Sequence, residues 1–283
     1  MNYLKSIVRQ TLKQRLFYPL LSVVVAVSLF LTALPATQAF SLEDFIIHGV
    51  RVLQLSTLSN RQEVAIGQQV NDQMVGQEFK LYRNPALTRY INEIGQQLAE
   101  VSDRPNIPYT FQVVDSQKVN AFATMGGFVY VNTGLILAAD NEAQLASVIG
   151  HEIGHIAGKH AVEQMREMAI AQGIASAAGL DQSMAVRLGV ELALRRPHSR
   201  EAEYEADRMG IIMMAKAGYA PQGTIDFLAK LLGKGSPPTF LSTHPATRDR
   251  IATLQQMLDP RFARRGDGLN NTAYRQLVQR LMS

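Results

Sequence analysis

His151-Glu152-Ile153-Gly154-His155 is the stretch that decides how the rest of this chain is read. Two histidines four residues apart leave a helix on the same face, so both imidazoles can grip one zinc ion. Glu152, between them, points close enough to act as general base to a water on that metal. Half of the six histidines fall between positions 151 and 160, which argues against a chance match. The flanking residues supply the helix. Asn141 is a candidate N-cap with Gln144 as its capping-box partner, and Leu145, Val148, Ile149, Ile153 and Ile156 form a buried face. The helix is expected to run as far as Ala178, where Gly179 ends it. Gly150 and Gly154 are poor helix residues, and their presence points to something that approaches the helix closely there.

A hydrolytic zinc needs three protein ligands and one open position. The chain has no cysteine, so the third ligand is His, Glu or Asp, and it lies on another element. Ser199 to Ala217 reads as a helix with Ser199 as cap and Gly218 as stop. On it Glu203 and Asp207 are four apart and share a face. Glu203 can ligate, while Asp207 accepts a hydrogen bond from a ligand histidine and fixes its tautomer. Glu201 and Glu205 project to other faces and read as solvated charges. His160 falls off the ligand face and reads as a polar helix residue; His48 and His198 have no identifiable partner. His244 lies in a loop ahead of Pro245 and not on an apolar helix face, which favours a role at the site.

With 47% hydrophobic and 18% charged residues, the chain is globular and not disordered. Residues 1–39 read as an export signal: Lys5, Arg9, Lys13 and Arg15 precede an apolar run from Leu20 to Leu34, and Thr37-Gln38-Ala39 offers a cleavage site. Retention as an N-terminal membrane anchor is the alternative. Either way the body of the protein is exported, to the periplasm or cell envelope. With those four of the 28 basic residues set aside, the remainder balances the 24 acidic residues, and nothing argues for nucleic acid. Residues 40–62 form a linker or first helix. Glu63–Gln77 and Pro85–Val101 carry helical spacing, and Tyr109–Val114 reads as a strand. Asn120 to Gly127 followed by Phe128–Val131 reads as a hairpin or exposed edge strand. Gly233–Pro238 is a loop, and Ile251–Leu258 starts another helix.

Together, His151-Glu152-Ile153-Gly154-His155, Glu203 with Ala206-Asp207, and Asn120-Ala121-Phe122 resemble the motifs of the M48 zinc metallopeptidases. Gly134-Leu135-Ile136, Ser242-Thr243-His244-Pro245 and Arg250 extend the resemblance, which runs from about Glu63 to Leu258. It implies an α+β, helix-dominated, zincin-like metallopeptidase domain over residues 63–283, with a small antiparallel sheet packed beside the active-site helix. It also implies one zinc ion (Zn2+) per chain on His151, His155 and Glu203, with Glu152 as catalytic base and Asp207 behind the ligands. His244 either blocks the open position or assists the transition state. Asn120, Ala121, Phe122, Gly127 and Phe128 would bind substrate by adding an extended peptide to an edge strand; a small buried sheet is the alternative. The chain is more like the periplasmic quality-control members than the polytopic ones, and members with a C-terminal tetratricopeptide-repeat domain are not matched. The implied function is a metalloendopeptidase acting on misfolded or unassembled envelope proteins, with membrane association left open. The competing function is a largely latent protease that serves as a chaperone or assembly factor.

Overall fold

Ser59 opens the first helix of the structure, a computed structural model that describes residues 58–171, 182–233, 239–245 and 248–282. The expected export segment, His48, most of the 40–62 stretch and the far end of the helix drawn to Ala178 lie outside the described residues. Ser59 and Gln62 form a reciprocal capping box at the start of α1 (Asn60–Gln77), three residues before the expected Glu63. α2 (Pro85–Glu100) begins where Asn84-Pro85 predicts: the Asn84 side chain accepts from the amides of Ala86 and Leu87 at 3.1 and 3.0 Å. Its buried stripe is Leu87, Ile91, Ile94 and Leu98, the spacing of one helical face.

Three strands follow, β1 (Thr110–Val114), β2 (Ala121–Thr124) and β3 (Phe128–Asn132), in the order β1-β3-β2. β2 and β3 are antiparallel around a short 3-10 turn at Met125–Gly127, whereas β1 runs parallel to β3. The sheet is therefore mixed, and the wholly antiparallel sheet expected from the sequence is corrected. The reason is geometric: a short loop joins β1 to β2, so they run in opposite directions, and β3 inserted between them must parallel one. Side chains alternate between two cores. Phe111, Val113, Ala121, Val129 and Val131 face one layer, while Phe122, Phe128 and Tyr130 face Val70 and Met74 of α1 and Val186 and Val190 of α6 (Gln182–Arg195).

After the short α3 (Thr133–Ala138) comes α4 (Glu142–Ala157), which carries the two-histidine motif. Every residue from Ala143 to Ile156 is buried, so this helix is the centre of the fold and not an amphipathic surface helix. Asn141 caps it by accepting from the Gln144 amide at 3.0 Å; the Gln144 side chain answers by accepting from the Asp140 amide, one residue before the cap. α4 stops at Ala157. Lys159 takes a left-handed conformation (φ 56°), and α5 (His160–Ala171) departs in a new direction, so the continuous helix to Ala178 is corrected at this point. The end of α4 is tied down by Arg104, which donates to the Ile156 carbonyl at 2.8 Å and pairs with the buried Glu63 of α1 at 2.7 Å.

α7 (Arg200–Lys216) is capped by Ser199 and ends before Gly218, as its sequence predicts. It crosses α4 backbone to backbone, which explains the motif glycine: a Cβ on Gly154 would sit 2.8 Å from the Ala206 carbonyl oxygen. Overpacking of this kind costs about 1–3 kcal/mol, more than the up to ~1 kcal/mol of helix propensity that alanine adds. Gly154→Ala is expected to lower stability and weaken metal binding by spreading the two helices. Gly150→Ala, whose Cβ would meet its nearest atom of α7 at 3.5 Å, is expected to be tolerated. Denaturant unfolding of both variants checks this, and equal stabilities would refute it. α8 (Gln222–Leu232), α9 (Phe240–Thr243), α10 (Arg248–Met257), α11 (Pro260–Ala263) and α12 (Asn271–Met282) complete the chain, α10 starting three residues ahead of the expected Ile251. Among the described residues no helix is long and apolar enough to cross a membrane.

Candidate metal centre

The close crossing of α4 and α7 brings the first turn of α7 over the two histidines. His151 Nε2 and His155 Nε2 lie 3.0 Å apart, one turn from each other on α4. Glu203 approaches both, Oε1 at 3.4 Å from His155 Nε2 and Oε2 at 3.5 Å from His151 Nε2. His244, just after α9, places Nδ1 at 3.1 Å from Glu203 Oε1 and 3.3 Å from His151 Nε2. All four residues are buried, and their donor atoms lie within 4.8 Å of one another. Four bonds of about 2.0–2.1 Å arranged tetrahedrally would space their donors about 3.3 Å apart, so these residues fit a zinc ion. The donor chemistry agrees, being nitrogen and oxygen without sulfur.

The charges fit as well. With neutral imidazoles, the buried carboxylates Glu152, Glu203 and Asp207 outnumber the Arg250 guanidinium in this cluster by two, which a divalent cation balances. Burial opposes a proton on His151, but the hydrogen bonds and charges of Asp207 and Glu203 outweigh it and raise the pKa to about 9. The carboxylates that would hold a proton there also favour a cation in its place. Burial, reinforced by His198, keeps His155 well below the ordinary imidazole range, which is the neutral form a metal needs.

Asp207 stands behind the donors as its spacing predicts, with Oδ1 3.0 Å from His151 Nδ1. Burial tends to raise its pKa, but bonds from His151 and Arg250 hold it below the usual carboxylate range. Arg250 grips Asp207 with two nitrogens at 2.7 Å each, reaches Glu203 at 2.5 Å and donates to the Pro245 carbonyl at 3.1 Å. It therefore links both carboxylates to the His244 loop, a role that the sequence resemblance, which singles out Arg250, does not specify. Glu152 is fully buried, and neither of its carboxylate oxygens has a hydrogen-bond partner in the protein. Its nearest cationic candidate, His244 Nε2 at 3.4 Å, is not in bonding geometry.

Two histidines set aside from the sequence also belong here. His160 is buried, with Nδ1 2.8 Å from His155 Nδ1 and Nε2 3.3 Å from Glu205 Oε2, so neither His160 nor Glu205 is merely a solvated helix residue. Gly158 was the available signal, since glycine after a helical run marks a stop. His198 stacks on His155 at 3.9 Å between ring centroids, and its Nδ1 is buried without a partner; no local pattern predicts this. A shallow pocket opens beside it, lined by Ala123, Thr124, Met125, Ile156 and Val162.

The segment expected to meet substrate lines this pocket through Ala123, Thr124 and Met125, whereas Asn120, Ala121, Phe122, Gly127 and Phe128 are not part of its lining. Phe122 stacks on Tyr130 at 4.7 Å in the α1-side core that also holds Phe128. Gly127 (φ 102°) lets the chain pass Ile107 and Pro108, and Asn120 and Ala121 are buried. The main chain is different. The Asn132 amide donates to the Asn120 carbonyl, so by antiparallel alternation Ala121 and Ala123 turn their amide and carbonyl groups away from β3. β2 is thus an edge strand, and Ala123 on its outward side lines the same pocket as His155, whereas Ala121 is fully buried.

Comparison with known proteins agrees with this geometry. The chain is 33% identical over 214 residues to the beta-barrel assembly-enhancing protease of Escherichia coli, covering 70% of this chain and 44% of that protein. It is 35% identical over 163 residues to the mitochondrial metalloendopeptidase OMA1 of Arabidopsis thaliana, covering 56% of this chain and 33% of that protein. It thus spans less than half the length of these curated relatives. The family model for peptidase family M48 matches residues 85–258, a span that takes in α2, the sheet, α4, α7, His244 and Arg250. A match of that extent over these elements leaves one conclusion: the chain belongs to peptidase family M48.

Proposed function

We propose that the chain is a zinc metalloendopeptidase that hydrolyses peptide bonds of misfolded or unassembled proteins in the cell envelope. The observation that carries the proposal is Glu152, buried with neither carboxylate oxygen hydrogen-bonded, beside four convergent metal donors. Zinc held by His151, His155 and Glu203 would polarise the scissile carbonyl and acidify water. Glu152 takes a proton at its carboxylate from the attacking water and returns it to the departing amine. Asp207 keeps the His151 tautomer fixed, with Arg250 holding Asp207 in turn. The outward main-chain groups of Ala123, the partly exposed residue of β2, hold an extended peptide by hydrogen bonds that ignore side chains, which suits unfolded substrates. The name of the Escherichia coli relative supports an envelope setting, reached through the basic-apolar N-terminal segment, whether that is removed or kept as an anchor.

A specific observation favours latency in this conformation: His244 Nδ1 stands as a fourth donor where substrate would enter. A chaperone or assembly role for the latent form is the second reading. If a competent form without His244 makes up roughly 1–10% of the population, His244→Ala should raise cleavage about 10–100-fold. The test is digestion of an unfolded protein by the zinc-loaded full chain and this variant, with and without a zinc chelator. Faster cutting by the variant, abolished by the chelator, is the expected result. No cutting by either, despite bound zinc, would reject the peptidase reading and favour the binding role.

A further inference from the structure

We propose that His160 and Glu205 form a relay behind His155 that fixes its tautomer and aims its Nε2 at the metal, making His160 a positioning residue of this centre. The inference rests on the reading that the four-donor cluster binds zinc. His155 faces the cluster through Nε2, so in the neutral ring the proton is on Nδ1. The atom facing that proton is His160 Nδ1 at 2.8 Å. An N–H···N bond needs one donor and one acceptor, so His160 accepts at Nδ1 and carries its own proton on Nε2. That nitrogen is 3.3 Å from Glu205 Oε2, an acceptor, and the chain of roles closes with no nitrogen in conflict. The opposite assignment would move the His155 proton to Nε2 and remove the lone pair the cluster requires.

The two ligand histidines are then held in parallel ways. His151 donates through Nδ1 directly to the carboxylate of Asp207. His155 donates through Nδ1 to an imidazole that hands the load on to the carboxylate of Glu205, two residues before Asp207 on α7. Second partners of this kind orient metal-ligating histidines and raise their basicity.

The backbone is shaped around this ring. On a continuous helix a residue five positions after His155 would lie about 140° around the axis and face away. The break at Gly158 and the left-handed Lys159, an uncommon conformation for lysine, turn His160 back onto His155. Gly158 leaves room for it: a Cβ there would sit 2.5 Å from His160 Nε2. The ring is buried, whereas Glu205 is 46% exposed, so the relay runs from the metal cluster to the surface.

Two measurements on the zinc-loaded full chain test the relay. The first is nitrogen-15 NMR, which should show His155 protonated at Nδ1 with a coupling across the hydrogen bond to His160 Nδ1. Absence of that coupling, or a proton on His155 Nε2, would overturn the assignment. The second is zinc affinity by chelator competition. His160→Leu, which removes the acceptor at similar bulk, should weaken zinc roughly 10–100-fold. His160→Asn, whose Oδ1 stands near the place of Nδ1, should recover most of that loss. Glu205→Ala, at an exposed position that leaves the core intact, should weaken zinc measurably. Wild-type affinity in His160→Leu, equal losses in the Leu and Asn variants, or no change in Glu205→Ala would each overturn the relay. If the parent chain itself fails to bind zinc, the metal reading falls first; tight zinc binding by the parent with indifferent variants sinks the relay alone.

Discussion

Glu152→Gln is expected to lower peptide cleavage by roughly 10²–10⁴-fold, the range that a positioned general base contributes. The substitution keeps the size and shape of a side chain that is fully buried and removes its ability to take a proton. Burial pushes the Glu152 carboxyl up, with His244 and His151 working against that push, so the group sits closer to neutral pH than an exposed glutamate. A base so placed is more effective than an ordinary carboxylate and more costly to keep buried. Metal-free stability of the variant should therefore be equal to the parent's or higher, and zinc should still bind, because Glu152 is not among the donors, though less tightly for the loss of one balancing charge. Steady-state cleavage of an unfolded protein, with the zinc content of both samples measured, checks the expectation. Parental cleavage by the variant would mean that another group moves the proton.

Removing Arg250 should produce the largest loss of stability. Its guanidinium is buried between the carboxylates of Glu203 and Asp207 and also holds the Pro245 carbonyl. Arg250→Met keeps the length and leaves two buried carboxylates facing each other, a loss of about 3–5 kcal/mol when one partner of a buried ionic network is removed. Arg200→Met supplies the comparison. It breaks a pair with Asp249 whose side chains are mostly exposed, and should cost under about 1 kcal/mol. Denaturant unfolding of the metal-free chain separates the two, and zinc should recover part of the Arg250 loss by offsetting the same carboxylates. Equal costs for both variants would show that Arg250 does not hold the centre together.

The local elements were legible in the sequence because their signals are local. Asn84-Pro85, Asn141 and Ser199 start helices by capping their own first turns, and Gly218 ends one. Spacing of four residues likewise put His151 with His155, and Glu203 with Asp207, on single faces. What this patterning misjudged depended on neighbours distant in sequence. The mixed sheet follows from where β3 inserts, which hydrophobic alternation does not encode. The early stop of α4 falls at Gly158 and the left-handed Lys159; Gly158 hinted at it, but that the break turns His160 back onto His155 is a contact only the fold supplies. The sequence left an exposed edge strand and a small buried sheet both open; β2 is an edge strand, while the Phe122 and Phe128 side chains are covered by α1 and α6.

By itself the sequence determined which residues could hold a metal and move a proton, because donor chemistry and helical period are properties of the chain alone. Only the tertiary structure decided how those residues meet. The close crossing at Gly154 sets the distance from the α4 histidines to Glu203. The Arg250 grip spans residues 203 to 250, and the His244 loop supplies a fourth donor. His160 and His198 join the site through contacts with His155 alone in common. Such contacts arise from packing between elements, where the energy of placing a charge or an imidazole depends on every neighbour that burial brings to it.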